Sequence, residues 1–405
     1  MTPSPLQNKR VLLGVSGSIA SYKAADLASK LSQLGVEVDV ILTRAASQFV
    51  SALTFQSVTG RRCYLDSDLW GAEGHVLHIG LGKEADLILI APATANTLAK
   101  LAQGNADNLL SLTALASEAP LMLAPAMDGG MYSHPATQEN IATLKKRDVE
   151  ILGPASGHLA SGLIGEGRML ETDELLGQVR RSLGKTGPLA GRKLVVSAGG
   201  TRETIDPVRV IANRSSGKQG YALAQAAIDL GAEVSLVSAP TSLPAPVGAN
   251  LIQITTAEEM KTAVLKTSKH ADALLMAAAV ADFRPSRKSS QKIKRAKGIP
   301  TITLVENTDI LKAVAEARKK SKKPKVVVGF AAESKDLLEN AQSKLKAKKL
   351  DFIVANDVTA KDAGFNVDTN RVLIIDKKGE KEELPLLSKA EVAEKVLEKV
   401  VALLK

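Results

Sequence analysis

The sequence predicts an α/β protein of two Rossmann-like domains, each a mostly parallel sheet flanked by helices. Residues 9–43 and residues 192–238 support this prediction, because each runs from an apolar strand through a polar turn into an amphipathic helix and a second strand. That order is the βαβ unit of doubly wound folds. The chain has 405 residues, 45% of them hydrophobic, which is enough for two cores.

The first unit opens with "KRVLLGVSGSIASYK", in which a strand runs into a glycine-rich turn. The backbone amides of this turn and the hydroxyls of Ser16 and Ser18 suit a phosphate monoester, although glycine and serine also form plain turns. The helix that follows ends in Leu34-Gly35, where glycine supplies a left-handed cap.

Neither unit carries the acidic residue that holds the ribose of a nicotinamide cofactor. The second strands end in Thr43-Arg44 and in Ser238-Ala239, where such a site has Asp or Glu. The sequence therefore favours phosphate or mononucleotide binding over a nicotinamide dehydrogenase.

The middle of the first half contains a candidate base and a candidate lid. "ADLILIAPATANTLAK" predicts a strand, a turn of small residues that can lie against a ring, and a helix. His78 precedes this segment, which favours it as a base, whereas His75 is interpreted as structural. Residues 153–170 carry glycines at 157, 162, 165 and 167 and predict a mobile loop, either a lid or a plain exposed connection.

The second half repeats the plan with a longer first turn. The basic, glycine-rich stretch 180–193 predicts the boundary between domains 1–180 and 190–405. From Arg10 to Gly35 is 25 residues and from Lys193 to Gly231 is 38, so thirteen residues are inserted before the second helix. This insertion lies at the carboxyl end of a strand, where doubly wound sheets bind ligands.

The pair Gly217-Lys218 in this insertion suggests a P-loop, but the pattern fails at two defining positions. Ala212 stands where the pattern needs glycine, and Gln219 stands where it needs Ser or Thr. The insertion is therefore a candidate site of another kind.

Composition narrows the class of protein. The single cysteine, Cys63, excludes a disulfide framework and is expected to be a small, half-buried side chain. No apolar run reaches a membrane span and no apolar signal core follows the N-terminus, so we expect a cytoplasmic protein without membrane contacts. The net charge is +10, but aromatic residues are only 3% and none lies in the late lysine clusters, which favours solvated lysines over nucleic-acid binding.

Five motifs in order identify a resemblance for residues 8–175: "GVSGSIASYK", "HIGL", "APATANTLAK", "PAMDGGMY" and "SGLIGEGRML". They resemble the flavin-dependent cysteine decarboxylases, in particular the phosphopantothenoylcysteine decarboxylase half of bifunctional coenzyme A biosynthesis proteins. In that family FMN takes electrons from the cysteinyl thiol, the resulting thioaldehyde allows loss of CO2, and reduced FMN returns the electrons. The resemblance implies His78 as the base, Arg168 as a substrate anchor, and an FMN site of Gly14, Ser16, Gly17, Ser18, Thr43, Thr94 and Asn96.

Two residues depart from that family pattern. Asp128 stands where an Asn commonly contacts the carboxylate region of the substrate, and an ionised Asp would repel a carboxylate unless it shares a proton or turns away. Ser161 takes the catalytic position of the lid cysteine that protonates the enethiol intermediate. A hydroxyl is a far weaker acid than a thiol, so another group or water donates the proton, or this half is slow.

The second half resembles phosphopantothenate-cysteine ligase over about residues 190–400. The motifs are "SAGGTRETIDPVRVIANRSSGKQG", "AAAVADFRP", "KIKR", "VENTDIL", "VGFAAES" and "VANDV". That family uses CTP to make an acyl-cytidylate, which cysteine then attacks.

The ligase resemblance also implies roles for single residues. Asn213 polarises the acyl group, with Arg209 nearby on the substrate, and Lys292 offsets charge on the leaving pyrophosphate. Asp282 is a candidate for the metal, Mg2+ or Mn2+, or for the ribose. The other implied contacts are with the substrate phosphate (Ser215, Ser216, Gly217), with cytosine (Ala278, Phe330) and with the triphosphate (Lys344, Lys348). Asn307, Asp309, Asn356 and Asp357 follow apolar strands and are either functional or capping.

Together the two halves predict a bifunctional carboxy-lyase and ligase that acts on small molecules. By resemblance the protein is a homo-oligomer, with trimeric contacts in the flavin half and dimeric contacts in the ligase half. The alternative is an active CTP-dependent ligase joined to a flavin-binding half with weak or no decarboxylase activity.

Overall fold

The computed structural model describes residues 6–70, 74–294, 301–333, 336–357 and 367–405. The chain divides into two compact units, Met1–Gly184 and Lys185–Lys405. The division falls inside the glycine-rich stretch 180–193.

Strands and helices alternate through most of unit 1. The strands are β1 (Arg10–Val15), β2 (Glu37–Leu42), β3 (Cys63–Leu65), β4 (Leu87–Ala93), β5 (Leu121–Pro125), β6 (Glu150–Ile151), β7 (Ala155–His158) and β8 (Ile164–Arg168). The helices are α1 (Ser21–Gln33), α2 (Ala52–Thr59), α3 (Gly74–Glu84), α4 (Ala95–Gln103), α5 (Leu109–Ala116), α6 (Gly129–Ser133), α7 (Pro135–Lys146) and α8 (Thr172–Gly184), with short 3-10 turns at Ala46–Gln48 and Asp66–Trp70.

The main sheet of unit 1 is parallel, and within the described ranges its order is β3-β2-β1-β4-β5-β6. The core strands are apolar on both faces because helices cover both sides. The strand order reverses between β1 and β4, which creates a crevice at their carboxyl ends. That crevice is where this fold binds ligands.

Unit 2 has the strands β9 (Lys193–Ala198), β10 (Arg202–Thr204), β11 (Val210–Ala212), β12 (Glu233–Ser238), β13 (Asn250–Gln253), β14 (Ala273–Met276), β15 (Phe283–Pro285), β16 (Leu304–Glu306), β17 (Val326–Glu333), β18 (Phe352–Asp357), β19 (Thr369–Asn370), β20 (Val372–Asp376), β21 (Lys381–Glu383) and β22 (Leu387–Ser388). Its helices are α9 (Lys218–Asp229), α10 (Ala257–Ser268), α11 (Ile310–Ser321), α12 (Leu337–Ala347) and α13 (Lys389–Leu404).

The main sheet of unit 2 runs β13-β12-β9-β14-β17-β18-β20-β21 in the described part of the chain. Pairing is parallel from β13 to β18, and β20 and β21 are added antiparallel. The predicted fold class, two Rossmann-like α/β units with mostly parallel sheets, is confirmed. Gly35 and Gly231 end the first helix of each unit with φ of +82° and +89°, as the Leu-Gly pattern predicts.

Two segments that the sequence presents as loops are antiparallel hairpins. The thirteen-residue insertion contains β10 and β11, and the glycine-rich lid segment contains β7 and β8. Glycine has little strand propensity, so the β7–β8 hairpin has no clear sequence signal. The β10 and β11 strands have three residues each, which is too short to show a strand period. No helix in the described ranges is long and apolar enough to cross a membrane.

Candidate functional site

In unit 1 the turns after β1 and β4 are joined at the crevice between these strands. The Ser16 hydroxyl donates to the Pro92 carbonyl oxygen at 2.7 Å, and the Thr94 backbone N–H donates to Ser16 Oγ at 3.0 Å. Thr94 also caps α4 by accepting from the Thr97 N–H. The two predicted flavin turns therefore form one surface at the point where the strand order reverses.

The other predicted flavin residues shape this surface or face solvent. A Cβ on Gly14 would lie 2.4 Å from Leu110 Cδ1, and one on Gly17 would lie 2.5 Å from Ala45 Cβ, so both glycines allow close packing. Thr43 is buried and its hydroxyl accepts from the Ala46 N–H. Ser18 is half-buried and Asn96 is exposed, so these two side chains are accessible to a ligand.

A cavity of about 480 Å³ lies beside this turn, beneath the β7–β8 hairpin. Ser18, Asp128, Ser161 and Arg168 are among the residues that line it. The hairpin is held close to the segment after β5, because a Cβ at Gly167 would lie 2.1 Å from the Met127 carbonyl oxygen. Three predicted substrate-site residues thus meet at one cavity.

The two residues that depart from the decarboxylase motifs contact each other. The Ser161 hydroxyl donates to Asp128 Oδ2 at 2.6 Å, and the Gly130 N–H donates to Asp128 Oδ1 at 2.9 Å, where Asp128 caps α6. These hydrogen bonds hold the pKa of Asp128 below its usual range, and the one from Ser161 contributes most. The ionised carboxylate therefore fixes the Ser161 proton toward itself.

Arg168 belongs to a small charge cluster on the same cavity. Its guanidinium lies 2.9 Å from Glu171 Oε1, which Lys23 also contacts at 2.8 Å. The Lys23 hydrogen bond is the main reason that the pKa of Glu171 is lowered. Lys23 and Arg168 both line the cavity, whereas Glu171 is not among the described residues that line it.

His78 lies in the middle of α3, which packs against α5. Its Nδ1 atom is buried and has no hydrogen-bond partner among the described residues. Within the described part of unit 1, His78 is not among the residues that line the cavity at Asp128 and Ser161. The side chain of His75 lies outside the described residues.

Unit 2 contains a cavity of about 510 Å³ at the carboxyl ends of β14, β17 and β18. Nine predicted ligase residues line it: Asn213, Ser215, Ser216, Gly217, Ala278, Asp282, Phe330, Lys344 and Lys348. They come from segments far apart in sequence and meet because parallel strands bring their carboxyl ends to one edge.

The inserted loop reaches this cavity through its last residues. The Asn213 amide donates to the Val280 carbonyl oxygen at 3.0 Å, which ties the loop to the strand-end segment of β14. Gly217 has φ of +77° and precedes α9, so the chain turns sharply into the helix, and the N-terminus of α9 faces the cavity. Such a helix end favours an anion.

The opposite wall carries the charges predicted for the nucleotide. Lys348 pairs with Asp309 at 3.3 Å, and Asp309 caps α11 by accepting from the Lys312 N–H. Asp282 is exposed at the cavity. The described residues hold no group of three or more His, Cys, Asp or Glu suited to a metal ion, and Mg2+ commonly takes one carboxylate and completes its shell with phosphates and water.

Arg209 and Lys292 lie apart from the cavity lining of the described chain. Arg209 Nε donates to Asp206 Oδ2 at 3.0 Å, and the Ile293 N–H donates to the same oxygen at 3.1 Å. Asp206 is buried and thereby fixes the Lys292 segment to the β10–β11 hairpin, while Lys292 itself is exposed. The Arg209 guanidinium is the main cause of the strong lowering of the pKa of Asp206.

Comparison with known proteins assigns both halves. A family model described as Flavoprotein matches residues 1–184, and one described as DNA/pantothenate metabolism flavoprotein C-terminal domain matches residues 189–404. The coenzyme A biosynthesis bifunctional protein CoaBC of Bacillus subtilis is 45% identical over 403 residues, which cover 99% of this chain and 98% of that protein. The chain belongs to the CoaBC family.

Solved structures with likeness to each half include two whose sequences are 40% and 34% identical to this chain. The C-terminal domain of a CoaBC protein covers 54% of this chain and 98% of its own, with a TM-score of 0.46. A PPC decarboxylase mutant complexed with pantothenoylaminoethenethiol covers 43% and 97%, with a TM-score of 0.40.

Membership of the CoaBC family confirms the prediction of a bifunctional enzyme of coenzyme A biosynthesis with a flavoprotein half. The predicted class, a carboxy-lyase joined to a ligase, agrees with it.

Sequence reasoning did not single out several residues at or near the two cavities. Asp206 fixes the hairpin, and the only sequence signal for it is the turn-forming Asp-Pro pair in "IDPVR". Lys23 and His158 line the cavity of unit 1. Lys23 is the last residue of the motif "GVSGSIASYK", and His158 lies just before "SGLIGEGRML". Of the two candidates in "VANDV", Asn356 donates to Asn370 Oδ1, and the side chain of Asp357 lies outside the described residues.

Proposed function

We propose that the chain performs two consecutive steps of coenzyme A biosynthesis. Unit 2 couples 4'-phosphopantothenate to cysteine with CTP through an acyl-cytidylate. Unit 1 then decarboxylates the product to 4'-phosphopantetheine with FMN. The observation that carries this proposal is the unit 2 cavity, because nine of the eleven residues predicted for the ligase line it.

The ligase chemistry requires several anions to share one site. The substrate carboxylate attacks the α-phosphorus of CTP and expels pyrophosphate, and the cysteine amine then attacks the acyl carbon and expels CMP. Lys344, Lys348 and the N-terminus of α9 offset this negative charge, and Asp282 would hold Mg2+ or Mn2+ on the phosphates. Asn213 lies near the end of the inserted loop and lines the cavity, where its amide can polarise the acyl group.

Lys292 acts from the segment that Asp206 anchors, as the cation for the leaving pyrophosphate. The exposed position of Lys292 suits a group that reaches the nucleotide when the loop closes or from a second subunit. The dimeric contacts proposed for this half provide such a subunit.

Nucleotide choice tests the ligase assignment. Ala278 and Phe330 line the cavity, and we assign them to the cytosine ring of CTP. Pyrophosphate release that depends on 4'-phosphopantothenate and cysteine should be fast with CTP and much weaker with ATP. Equal rates with the two nucleotides would contradict the cytosine pocket, and no release with either would contradict the ligase assignment.

Unit 1 fits an FMN site at the joined turns after β1 and β4. Ser18, Thr94 and Asn96 would hold the phosphate and ring edge, on a surface that Ser16 fastens from below. Bound FMN would supply the two-electron oxidation and its reversal. Arg168 would bind the substrate's anionic groups. His78 lies outside the described lining of this cavity in a single chain, so it would take the substrate proton from a second subunit of the trimer proposed for this half.

An active ligase fused to a weak or silent decarboxylase is the second candidate. The Asp128–Ser161 hydrogen bond favours it, because a hydroxyl that already donates to a carboxylate is a still poorer acid. Proton donation by water or by another group keeps the decarboxylase assignment, and product analysis separates the two candidates.

Oligomerisation completes the proposal. Several large apolar side chains of unit 1 are exposed, including Trp70 at 89%, Leu53 at 68% and Leu115 at 62%. Exposed apolar surface of this kind is typical of subunit contacts. Trimeric contacts in the flavin half would cover such side chains.

A further inference from the structure

Lys389 is a lysine in an unusual place. It lines the unit 2 cavity, only 6% of its surface is exposed, and no other lysine of the described chain is buried. Burying an ammonium group is costly unless other groups offset its charge. The groups around Lys389 must therefore explain how its buried charge is tolerated.

The two helices that meet here both begin with a lysine. Lys218 is the first residue of α9 and Lys389 is the first residue of α13, and the two helices pack against each other. The Gln219 side-chain amide donates to the Lys389 carbonyl oxygen at 3.2 Å, which ties the two helix starts together. Both lysines line the same cavity.

This arrangement is electrostatically unfavourable for cations. The N-terminus of a helix carries partial positive charge and disfavours a lysine. Burial and the nearby Lys218 charge lower the pKa of Lys389, while Asp368 raises it and pairs with Lys218 at 2.6 Å. Lys389 Nζ donates to the Val367 carbonyl oxygen at 2.5 Å. Two ammonium groups and two helix N-termini therefore lie at one wall of the cavity.

A second feature of the same wall also indicates a ligand. Asn356 donates to Asn370 at 3.1 Å, and Asn370 donates to Gln219 at 3.2 Å, so a chain of amides crosses the cavity floor. The Asn356 Oδ1 atom is buried at the cavity and has no partner among the described residues. A buried acceptor of this kind costs free energy until a donor reaches it.

We propose that Lys389, with Lys218 beside it, binds a phosphate group of a ligand in this cavity, and that Asn356 accepts a hydrogen bond from the same ligand. This inference rests on the proposed function, in which CTP and 4'-phosphopantothenate share the cavity. Both ligands carry a phosphate group, and the test separates them. Two ammonium groups and two helix N-termini provide the positive potential that a phosphate dianion needs.

The test is calorimetric titration of the full chain with CTP alone and with 4'-phosphopantothenate alone. Lys389→Met should weaken one of the two ligands about ten- to hundredfold, because a charge-assisted contact is lost. Lys218→Met should weaken the same ligand by a smaller factor. Lys399→Met is the matched control on α13, and it should leave both affinities unchanged.

Two further comparisons identify the phosphate. If the site binds the substrate, pantothenate without its phosphate should bind wild type and Lys389→Met equally weakly. If the site binds the nucleotide, the difference in affinity between wild type and Lys389→Met should be smaller for CMP than for CTP.

Thermal unfolding separates binding from folding. Without ligand, Lys389→Met should melt at the same temperature as wild type or higher, since a buried charge is removed. A large drop in Tm together with equal weakening of the binding of both ligands would show that Lys389 stabilises the fold, and it would overturn the proposal. Wild-type affinity of both lysine variants for both ligands would overturn it as well. Failure of wild type to bind either ligand would overturn the proposed function itself.

Discussion

Asp128 and Ser161 are the two positions at which unit 1 departs from the decarboxylase motifs, and the structure joins them in one hydrogen bond. The pair consists of an ionised acceptor and a hydroxyl donor, so it holds the hairpin tip near α6 without providing an acid. The sequence alone does not link the two departures, whereas the structure places the two side chains in contact.

Product analysis of decarboxylation tests this pair. Oxidation and CO2 loss need a base but no acid at position 161, so Ser161→Ala should change CO2 release little, whereas His78→Asn should abolish it. The exposed His270 gives the control variant His270→Asn, which should behave as wild type.

Mass spectrometry then resolves the product. The saturated thiol, 4'-phosphopantetheine, is expected if water or another group donates the proton. A product two hydrogens lighter is expected if nothing does. Absence of both from an FMN-loaded preparation would contradict the decarboxylase assignment.

Lys292 provides the residue-scale prediction for unit 2. Removing a cation that offsets charge on a leaving group typically costs about a hundredfold or more in rate. Lys292→Gln should therefore nearly abolish acyl-cytidylate formation and leave the fold intact. The control is Lys294→Gln, two residues away and also exposed. Near-normal turnover of Lys292→Gln would leave this lysine as a solvated surface charge.

Among the structural elements, the inserted loop of unit 2 forms a flap that one buried side chain, Asp206, holds in place. Asp206 accepts from the backbone N–H groups of Val208, Arg209 and Ile293, so one buried carboxylate links the β10–β11 hairpin to the segment that carries Lys292. The order of the flap therefore depends on this carboxylate, which is 1% exposed.

Asp206→Asn should loosen the flap. The amide group loses the Arg209 ion pair, so hydrogen exchange at the Ile293 amide should accelerate at pH 7 and Tm should fall. The lowered pKa of Asp206 means that its stabilisation is fully present above the unfolded pKa of about 3.9 and is lost as pH falls through the folded value. The Tm difference from wild type should therefore shrink below about pH 4.

Glu383→Gln, an exposed change on β21, is the control for that comparison. A Tm difference that stays constant from pH 7 to below pH 4 would show that the Asp206 charge does not support the flap.

The βαβ units were predictable from the sequence, whereas the two hairpins were not. The first strands and helices follow from long apolar runs and the Leu-Gly caps, which are local signals. β7 and β8 contain three glycines among nine residues, and β8 is joined to a distant segment by the Met127 N–H, which donates to the Gly167 carbonyl oxygen. Asp206 escaped notice for the same reason, because its partner at Ile293 is distant in sequence.

For the whole molecule, the single tryptophan is a natural reporter of assembly. Trp70 is 89% exposed in the single chain, at the end of a short 3-10 turn beside α3. Large aromatic side chains seldom remain this exposed in an assembled protein.

If the flavin half forms a homo-oligomer through this surface, Trp70 fluorescence should shift to shorter wavelength as protein concentration rises. The shift should follow the change in mass measured by light scattering. An emission maximum typical of fully exposed indole, at concentrations where scattering shows an oligomer, would place the subunit contacts elsewhere.

The long-range arrangement of the ligase cavity was predictable only where motifs mark it. The βαβ order of residues 192–238 predicts the sheet edge at which a ligand binds, and nine residues of the ligase motifs line the cavity there. The approach of Lys218 to Lys389 has no such signal, because Gln219, next to Lys218, is 170 positions from Lys389. Only the packing of α13 on α9 brings the two lysines to one wall.

The burial of Cys63 has a practical consequence for thiol chemistry. The sequence predicts a half-buried side chain, but Cys63 is only 4% exposed because it packs in the core of unit 1. Burial raises the pKa of its thiol to about 12, so it stays protonated and unreactive at neutral pH. The natural protein should resist maleimides, and Ser161→Cys would introduce one addressable thiol at the tip of the lid hairpin. A spin label attached there would test whether the hairpin moves when flavin is added, in a background free of competing labels.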